Sequence, residues 1–386
     1  MSSAFGFELT EEQRALRDTI REFAEQEIAP RAAEWDAQHT FPTEVIRRLG
    51  ELGAMGVAFP EEYGGLGAGA LAQALVIEEL ARIDSSVAIT VGASVSLGGE
   101  PILIFGTEEQ KQRWLVPLAR GECLGAFAST EPGAGSDVQA ATTTARWDNG
   151  TWVINGTKAF ITNAGNPLSA FVITTAQTDV DGGKALSTFI VPVDAPGYFP
   201  QQPYRKLGWH ASDTRELVFA DCRVPGDALL GPLGKGARVF LTALDGGRIG
   251  VAALAVGLAQ GTLEQATAYA KTRHAFGAPI ARQQMIYAKL ADLKTQIEAA
   301  RLLTYRAAAL KDAGKRFTEE AAQAKLFASE VAVRAAEENV QIHGGFGYIE
   351  ESAVPRFYRD AKILTIGEGT SEILRYVIAR QMGLTE

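Results

Sequence analysis

Apolar positions along this chain recur every three or four residues, then every second residue, then every three or four again. The first stretch opens on Thr10-Glu11-Glu12-Gln13. A Thr followed three residues later by Gln lets each side chain cap the other's backbone amide at a helix start. Leu16, Ile20, Phe23 and Ile28 follow at helical spacing, and the same capping form returns at Thr107-Glu108-Glu109-Gln110. The glycine-rich PEEYGGLGAGA (60–70) has no strand-then-helix context and reads as a connector rather than a phosphate cradle. From about residue 121 the period is two. TWVING, with Asn155-Gly156, predicts a hairpin turn. AFVITTA, LSTFIVPV and RELVFADCRVP predict short strands parted by turn clusters such as Asp181-Gly182-Gly183. After Gly231-Pro232, the residues Phe240, Leu244, Gly247, Val251, Leu254 and Leu258 form one helical stripe. Two more long helices run through Leu290-Leu293-Ile297 and through the Ala-rich 319–343. Eight of the fifteen prolines lie within 121–232. The predicted order is therefore α+β: a helical domain over 1–120, a β-barrel or sandwich over 121–232, and a helical domain over 233–386.

Composition narrows the classes of function. At 386 residues the chain is long enough for two or three packed subdomains. A net charge of −9 argues against nucleic acid, which demands a basic face, but a few local cations would still serve a phosphorylated ligand. The longest apolar stretch, Gly250 to Ala259, is too short to span a bilayer, so no membrane insertion is expected. The start MSSAFGFELTEEQ lacks a basic n-region and an apolar h-region, which points to a cytoplasmic protein. Cys123 and Cys222 read as buried apolar residues. His39, His210, His274 and His343 share no metal-ligand spacing, so no metal is expected.

Two segments carry candidate chemistry. In ILTIGEGTSEIL, Glu368 lies between Gly367 and Gly369, ahead of Thr370. Flanking glycines allow a ligand close to the main chain, and apolar neighbours raise a carboxyl pKa toward that of a general base. The segment ASTEPGAGSD (128–137) combines hydroxyls and glycines suited to a polar ligand such as a phosphate or an isoalloxazine edge. A third segment, Asp245-Gly246-Gly247-Arg248, puts two glycines inside a helix, at a cost of about 2 kcal/mol relative to alanines. Asp245 and Arg248 could form a structural i,i+3 pair or face a substrate.

Together ASTEPGAGSD and IGEGTSEI resemble the acyl-CoA dehydrogenase family. Five further segments extend the resemblance over nearly the whole chain: KAFITNAG (158–165), KLGWHASDT (206–214), LDGGRIG (244–250), TRHAFGAPI (272–280) and QIHGGFGY (341–348). The resemblance implies an N-terminal helical domain, a central β domain and a C-terminal four-helix bundle. It also implies FAD as cofactor, with Phe127, Ser129, Thr130, Phe160, Ile161 and Thr162 around the flavin ring. Phe160 stands where relatives often carry Trp. Arg273, Phe276 and Gln284 would reach the adenosine half of an FAD held mainly in a neighbouring subunit. Gln341, Gly344, Gly345, Thr370 and Glu372 would complete the cofactor site, and the arrangement implies a homotetramer built as a dimer of dimers. His343 departs from the small or apolar residue expected there and reads as incidental. Ser136, Asp245, Arg248 and Gly369 would meet the acyl-CoA.

By the same resemblance, Glu368 takes the pro-R α-proton of the thioester while the β-hydrogen leaves as hydride to flavin N5, giving a trans-2-enoyl-CoA. Electrons then pass to electron-transfer flavoprotein. Where some branches place the base on the helix before the arginine, this chain has Gly247. The segment 85–99 holds no cation, which argues against a glutaryl-CoA specialist. Gly367 replaces a Tyr common in straight-chain relatives, so a short or medium acyl chain with tolerance of a 2-methyl branch is expected. That would suit fatty-acid β-oxidation or branched-chain amino-acid catabolism. An oxygen-using acyl-CoA oxidase, or a non-dehydrogenase flavoprotein of the same superfamily, is the alternative.

Overall fold

The computed structural model describes residues 8–385. The helices before the sheet are α1 (Glu11–Phe23), α2 (Ala32–Gln38), α3 (Thr43–Glu51), α4 (Gly69–Ile83), α5 (Ser85–Gly92), α6 (Glu100–Phe105) and α7 (Glu108–Ala119). Both capping boxes form. Gln13 N donates to Thr10 Oγ1 at 3.2 Å and Thr10 N donates to Gln13 Oε1 at 3.0 Å. At the start of α7, Thr107 and Gln110 pair in the same way. The Gln110 amide also donates to the carbonyls of Asp227 and Leu229, tying this helix to the β region. A wider-wound stretch, Ala93–Gly99, joins α5 to α6 without a break in the helical path.

Strands β1 (Leu124–Ala128), β2 (Thr144–Asp148), β3 (Thr151–Thr162), β4 (Ser169–Val180), β5 (Gly183–Pro192), β6 (Tyr198–Pro200) and β7 (Thr214–Pro225) form a mixed sheet. Its order is β1-β4-β2-β3-β7-β6, with β5 also paired to β4. The predicted turn at Asp181-Gly182 is present, with φ of +50° and +81°. The predicted hairpin turn at Asn155-Gly156 is not. Those residues lie inside β3, and the β2–β3 turn is Asn149-Gly150, with φ of +48° and +89°. Gly156 serves close approach instead, because a Cβ there would fall 2.3 Å from Thr143 Oγ1. Asn155 clasps Asp221 across the ladder, accepting from its backbone N at 2.8 Å. The Asn-Gly pair thus marks an irregularity in a long strand rather than its end.

The helical period returns in α8 (Gly236–Thr272). A short ribbon of β8 (His274–Ala275) and β9 (Ala278–Pro279) leads to α9 (Gln284–Asp312), α10 (Thr318–His343), α11 (Val354–Ala361) and α12 (Ser371–Gln381). In the α8 stripe, Phe240, Gly247, Val251, Leu254 and Leu258 are buried and Leu244 partly so. One expectation needs correction. The Ser85–Phe105 and Gly236–Thr272 segments are both long and apolar enough to cross a membrane, with mean hydropathy 1.6 each. Both are mostly buried within the fold. Helices apolar all round are what the core of a large protein requires.

Candidate active site

The chain leaves α11 through a short 3₁₀ turn (Lys362–Thr365) and reaches α12 by way of Gly367, Glu368 and Gly369. Thr370 caps α12, its Oγ1 accepting from Ile373 N at 3.3 Å. Glu368 has φ of +56° and Gly369 +91°. A left-handed glutamate costs conformational energy, and such strain persists only where surrounding contacts impose it. Here it aims the carboxylate at α8. A Cβ built on Gly247 would lie 3.0 Å from Glu368 Oε2 and 2.9 Å from Leu97 Cδ2. Gly246 makes a second close approach, where a Cβ would fall 2.6 Å from Glu100 Oε2. The two helix-interior glycines are therefore explained by what they let in.

Glu368 Oε2 is buried and, among the described residues, has no hydrogen-bond partner. Burial raises its carboxyl above the ordinary range, and the charges of Lys325 and Arg248 offset that rise only in part. The carboxylate faces a narrow apolar slot. Ile77 of α4, Ala88, Ile89, Ala93 and Leu97 of the α5 path, and Val251 and Leu254 of α8 line it. Among the described residues, no charged side chain other than Glu368 lines the slot.

Arg248 is buried and donates to Asp245 Oδ1 at 2.8 Å, and Asp245 Oδ2 accepts from Thr318 Oγ1 at 2.6 Å. The structural i,i+3 pair is thus real. Arg248 Nε remains buried without a partner among the described residues.

On the β side, Glu131 organises the ASTEPGAGSD loop from within. It accepts from Thr142 N, Thr142 Oγ1 and Thr143 N, and lies 2.9 Å from Lys158 Nζ. Burial alone would raise its carboxyl, but these hydrogen bonds outweigh it and lower the group to about 2. Lys158, wholly buried, also donates to Ser129 O. The loop's outer edge is open, with nothing within 4 Å of a Cβ at Gly133 or Gly135, and Ser136 is exposed there.

Phe160, at φ +61°, is 66% exposed, beside Tyr204 at 5.2 Å between ring centroids. Ser129 is buried, Phe127, Thr130 and Thr162 partly so, whereas Ile161 turns into the β core and offers only its backbone. Phe276 projects from the β8–β9 turn at 96% exposure, flanked by exposed Arg273 and Gln284. Exposed Gln341 and the open Gly344 and Gly345 end α10, and exposed Glu372 begins α12. His343 has a packing role: its ring stacks on Tyr269 at 4.1 Å and its Nδ1 meets Asn339 O at 2.9 Å.

Family models for the N-terminal, middle and C-terminal domains of acyl-CoA dehydrogenase match residues 10–122, 126–222 and 234–383. The chain belongs to the acyl-CoA dehydrogenase family. It is 47% identical to the mitochondrial short-chain specific acyl-CoA dehydrogenase of Rattus norvegicus over 96% of this chain and 90% of that protein. The butyryl-CoA dehydrogenase of Megasphaera elsdenii superposes with a TM-score of 0.95 at 45% identity, over 98% of this chain and 100% of that one. A chain from structural work on the electron transferring flavoprotein of Acidaminococcus fermentans matches with TM-score 0.95 at 44% identity, over 98% and 99%. Acyl-CoA dehydrogenase family members are FAD flavoproteins and oxidise CH–CH donors.

The acyl-CoA dehydrogenase motifs left several positions at this site unread. Lys325 on α10 is wholly buried and donates to Gly369 O at 2.6 Å, directly behind the Glu368 loop. Ala321, Ala328 and Ala332 share its buried face. A cation on an apolar helical stripe is a signal available in the sequence. Ile77, Ile89, Ala93 and Leu97 line the slot but carry no chemical signature that sets them apart from core residues.

Proposed function

We propose that this protein is an FAD-dependent short-chain acyl-CoA dehydrogenase in which Glu368 is the base. The observation that carries the reading is the buried Glu368 carboxyl at an apolar slot, its Oε2 without a hydrogen-bond partner among the described residues, and its pKa raised despite two nearby cations. A thioester α-proton is far too weakly acidic for a solvated carboxylate, and a desolvated one is the stronger base. The backbone N–H of Glu368, set in a glycine-flanked loop, is a donor for the thioester oxygen as negative charge develops on it.

The residues present suit FAD: exposed Phe160 and Phe276 offer flat apolar faces, and Ser129, Thr130 and Thr162 offer donors beside the open loop. When bound, FAD supplies the acceptor for the β-hydride. Arg273, Phe276 and Gln284, with Gln341, Gly344 and Gly345, form the exposed set suited to the adenosine half across a subunit boundary. That arrangement supports a homotetramer. Thr370 and Glu372 stand at the start of α12 for the same cofactor, while Ser136, Asp245, Arg248 and Gly369 are placed for the acyl-CoA. Electron-transfer flavoprotein is the electron acceptor, consistent with the kinship to the Acidaminococcus chain.

The slot is narrow and lined by apolar side chains apart from Glu368. Ile77, Ile89 and Leu254 contribute bulk there, which favours a butyryl-sized chain. A 2-methyl branch would need the room left by Gly367, but a Cβ there would face Ile363 at 3.7–4.0 Å, and Gly367 does not line the slot. Straight chains are therefore the first choice. Anaerobic bleaching of the yellow protein by butyryl-CoA, followed by reoxidation with electron-transfer flavoprotein and slow reoxidation in air, tests the reading. No bleaching would refute it, and fast reoxidation in air would assign an oxidase.

A further inference from the structure

The Glu368 loop is held from behind by one residue. Lys325 is wholly buried on α10, and its ammonium donates to Gly369 O at 2.6 Å. That carbonyl belongs to the residue after Glu368, in a loop where both have positive φ. A buried ammonium that leaves the helix stripe to hold one carbonyl is costly unless the contact matters to the fold or the site.

The charges facing Lys325 come from three elements. Glu368 and Glu372, on the loop and α12, favour its ammonium, while Arg248 on α8 opposes it. Burial dominates and brings the amine down to about 8. Arg248 already has a carboxylate partner in Asp245, so its field at Glu368 is partly spent. Among the described residues Lys325 has no carboxylate hydrogen-bonded to it, and it is first among the two cations that lower the Glu368 carboxyl.

We infer that Lys325 is the positioning residue of the catalytic loop: it clamps Gly369 O to fix the left-handed conformation of Glu368, and its charge favours the ionised form of that carboxyl. The inference rests on Glu368 being the base. Lys325 touches neither substrate nor cofactor in this scheme. It sets where Glu368 points and at what pH it is ready.

Lys325→Met keeps the length of the side chain and removes both the donor and the charge. Opposite charges nearby lower a carboxyl by about 1–3 units, so its loss should move the acid limb of flavin reduction upward by about one pH unit. Loosening of the loop should lower the limiting rate about 10-fold or more, since small misplacements of reacting groups are expensive. Flavin content and binding of a non-reactive thioether acyl-CoA should change less than about threefold. Lys325→Arg, which keeps the cation, should restore the position of the acid limb.

A second readout needs no turnover and no variant of Lys325. In the FAD-loaded protein without substrate, infrared difference spectra against Glu368→Gln isolate the Glu368 carboxylate band. That band should shift with a midpoint near pH 8 as Lys325 loses its proton. An unmoved acid limb in Lys325→Met, or no band shift between pH 7 and 10 in the wild-type protein, overturns the inference. If Glu368→Gln itself retains flavin reduction, the assignment of the base fails instead, so the two failures are distinguishable.

Discussion

Adding one methyl group at Gly247 tests the geometry of the site most directly. The new Cβ would lie 2.9 Å from Leu97 Cδ2 and 3.0 Å from Glu368 Oε2. Carbon atoms rest about 3.5–4.0 Å apart, so Leu97 must retreat by at least about half an ångström, and Glu368 must yield by a few tenths. Misplacing a reacting group by about 1 Å costs about 100-fold, so a shift of a few tenths of an ångström at Glu368 should slow flavin reduction about 3- to 10-fold. Stability should respond far less. Alanine gains about 1 kcal/mol over glycine in a helix, against about 1–3 kcal/mol for overpacking. The net loss of at most about 2 kcal/mol should lower the melting temperature by only a few degrees.

The assay is anaerobic stopped-flow bleaching by saturating butyryl-CoA, run beside a thermal melt on the flavin-loaded protein. Gly246→Ala is the paired comparison. Its methyl would fall 2.6 Å from Glu100 Oε2, whose other oxygen sits 2.5 Å from Lys311 Nζ. That variant should lose stability in greater proportion than reduction rate. Wild-type bleaching in Gly247→Ala, with the melt unchanged, would refute the claim that Gly247 exists to admit the Glu368 carboxylate.

Glu368→Gln should keep FAD and acyl-CoA binding but lower flavin reduction by about three orders of magnitude or more, and retention of over about a tenth of the wild-type rate would remove Glu368 as base. Glutaryl-CoA should turn over far more slowly than butyryl-CoA, because no cation lines the slot to pair a distal carboxylate, and comparable steady-state rates would show otherwise. Lys158→Met strands the buried Glu131 carboxylate and should cost about 3–5 kcal/mol in a denaturant melt, with weakened FAD retention. The Glu131 carboxyl sits at about 2 in the fold against 4.5 unperturbed, so its contribution is fully present above pH 4.5 and lost as pH falls toward 2. The acid limb of the stability curve should therefore flatten in Glu131→Gln.

Much of this fold was legible because its local signals agree with its tertiary demands. Thr10 and Thr107 cap helices that the apolar spacing also requires, and Asp181-Gly182 turns between two runs of period two. Asn155-Gly156 misled because an Asn-Gly pair has two uses. At Asn149-Gly150 the pair supplies positive φ for a tight turn, while at Asn155-Gly156 the missing side chain admits Thr143 and the amide holds Asp221. Only the spatial partners distinguish the two, and Asp221 lies 66 residues away from Asn155. Hydropathy alone could not separate the α8 segment from a membrane span either, since a helix buried on all sides among other helices has the same composition.

The site was legible where chemistry demands rare residues and hidden where it demands common ones. A glutamate between glycines, or a diglycine inside a helix, costs stability unless something approaches closely, so Glu368 and Gly246-Gly247 stand out from their surroundings. The slot is built from Ile, Ala, Leu and Val that differ from core residues only in facing a cavity, and no spacing rule separates the two. Lys325 falls between these cases. Its position on the buried face with Ala321, Ala328 and Ala332 marks it as a charge in the wrong place, but its partner is a backbone carbonyl 44 residues away, and backbone carbonyls leave no trace in a sequence. A buried cation on an alanine stripe therefore points to a polar partner elsewhere in the fold. Here that partner lies in the loop that carries the proposed base, so the proposed clamp and that carboxyl would form one device whose two halves no single motif contains.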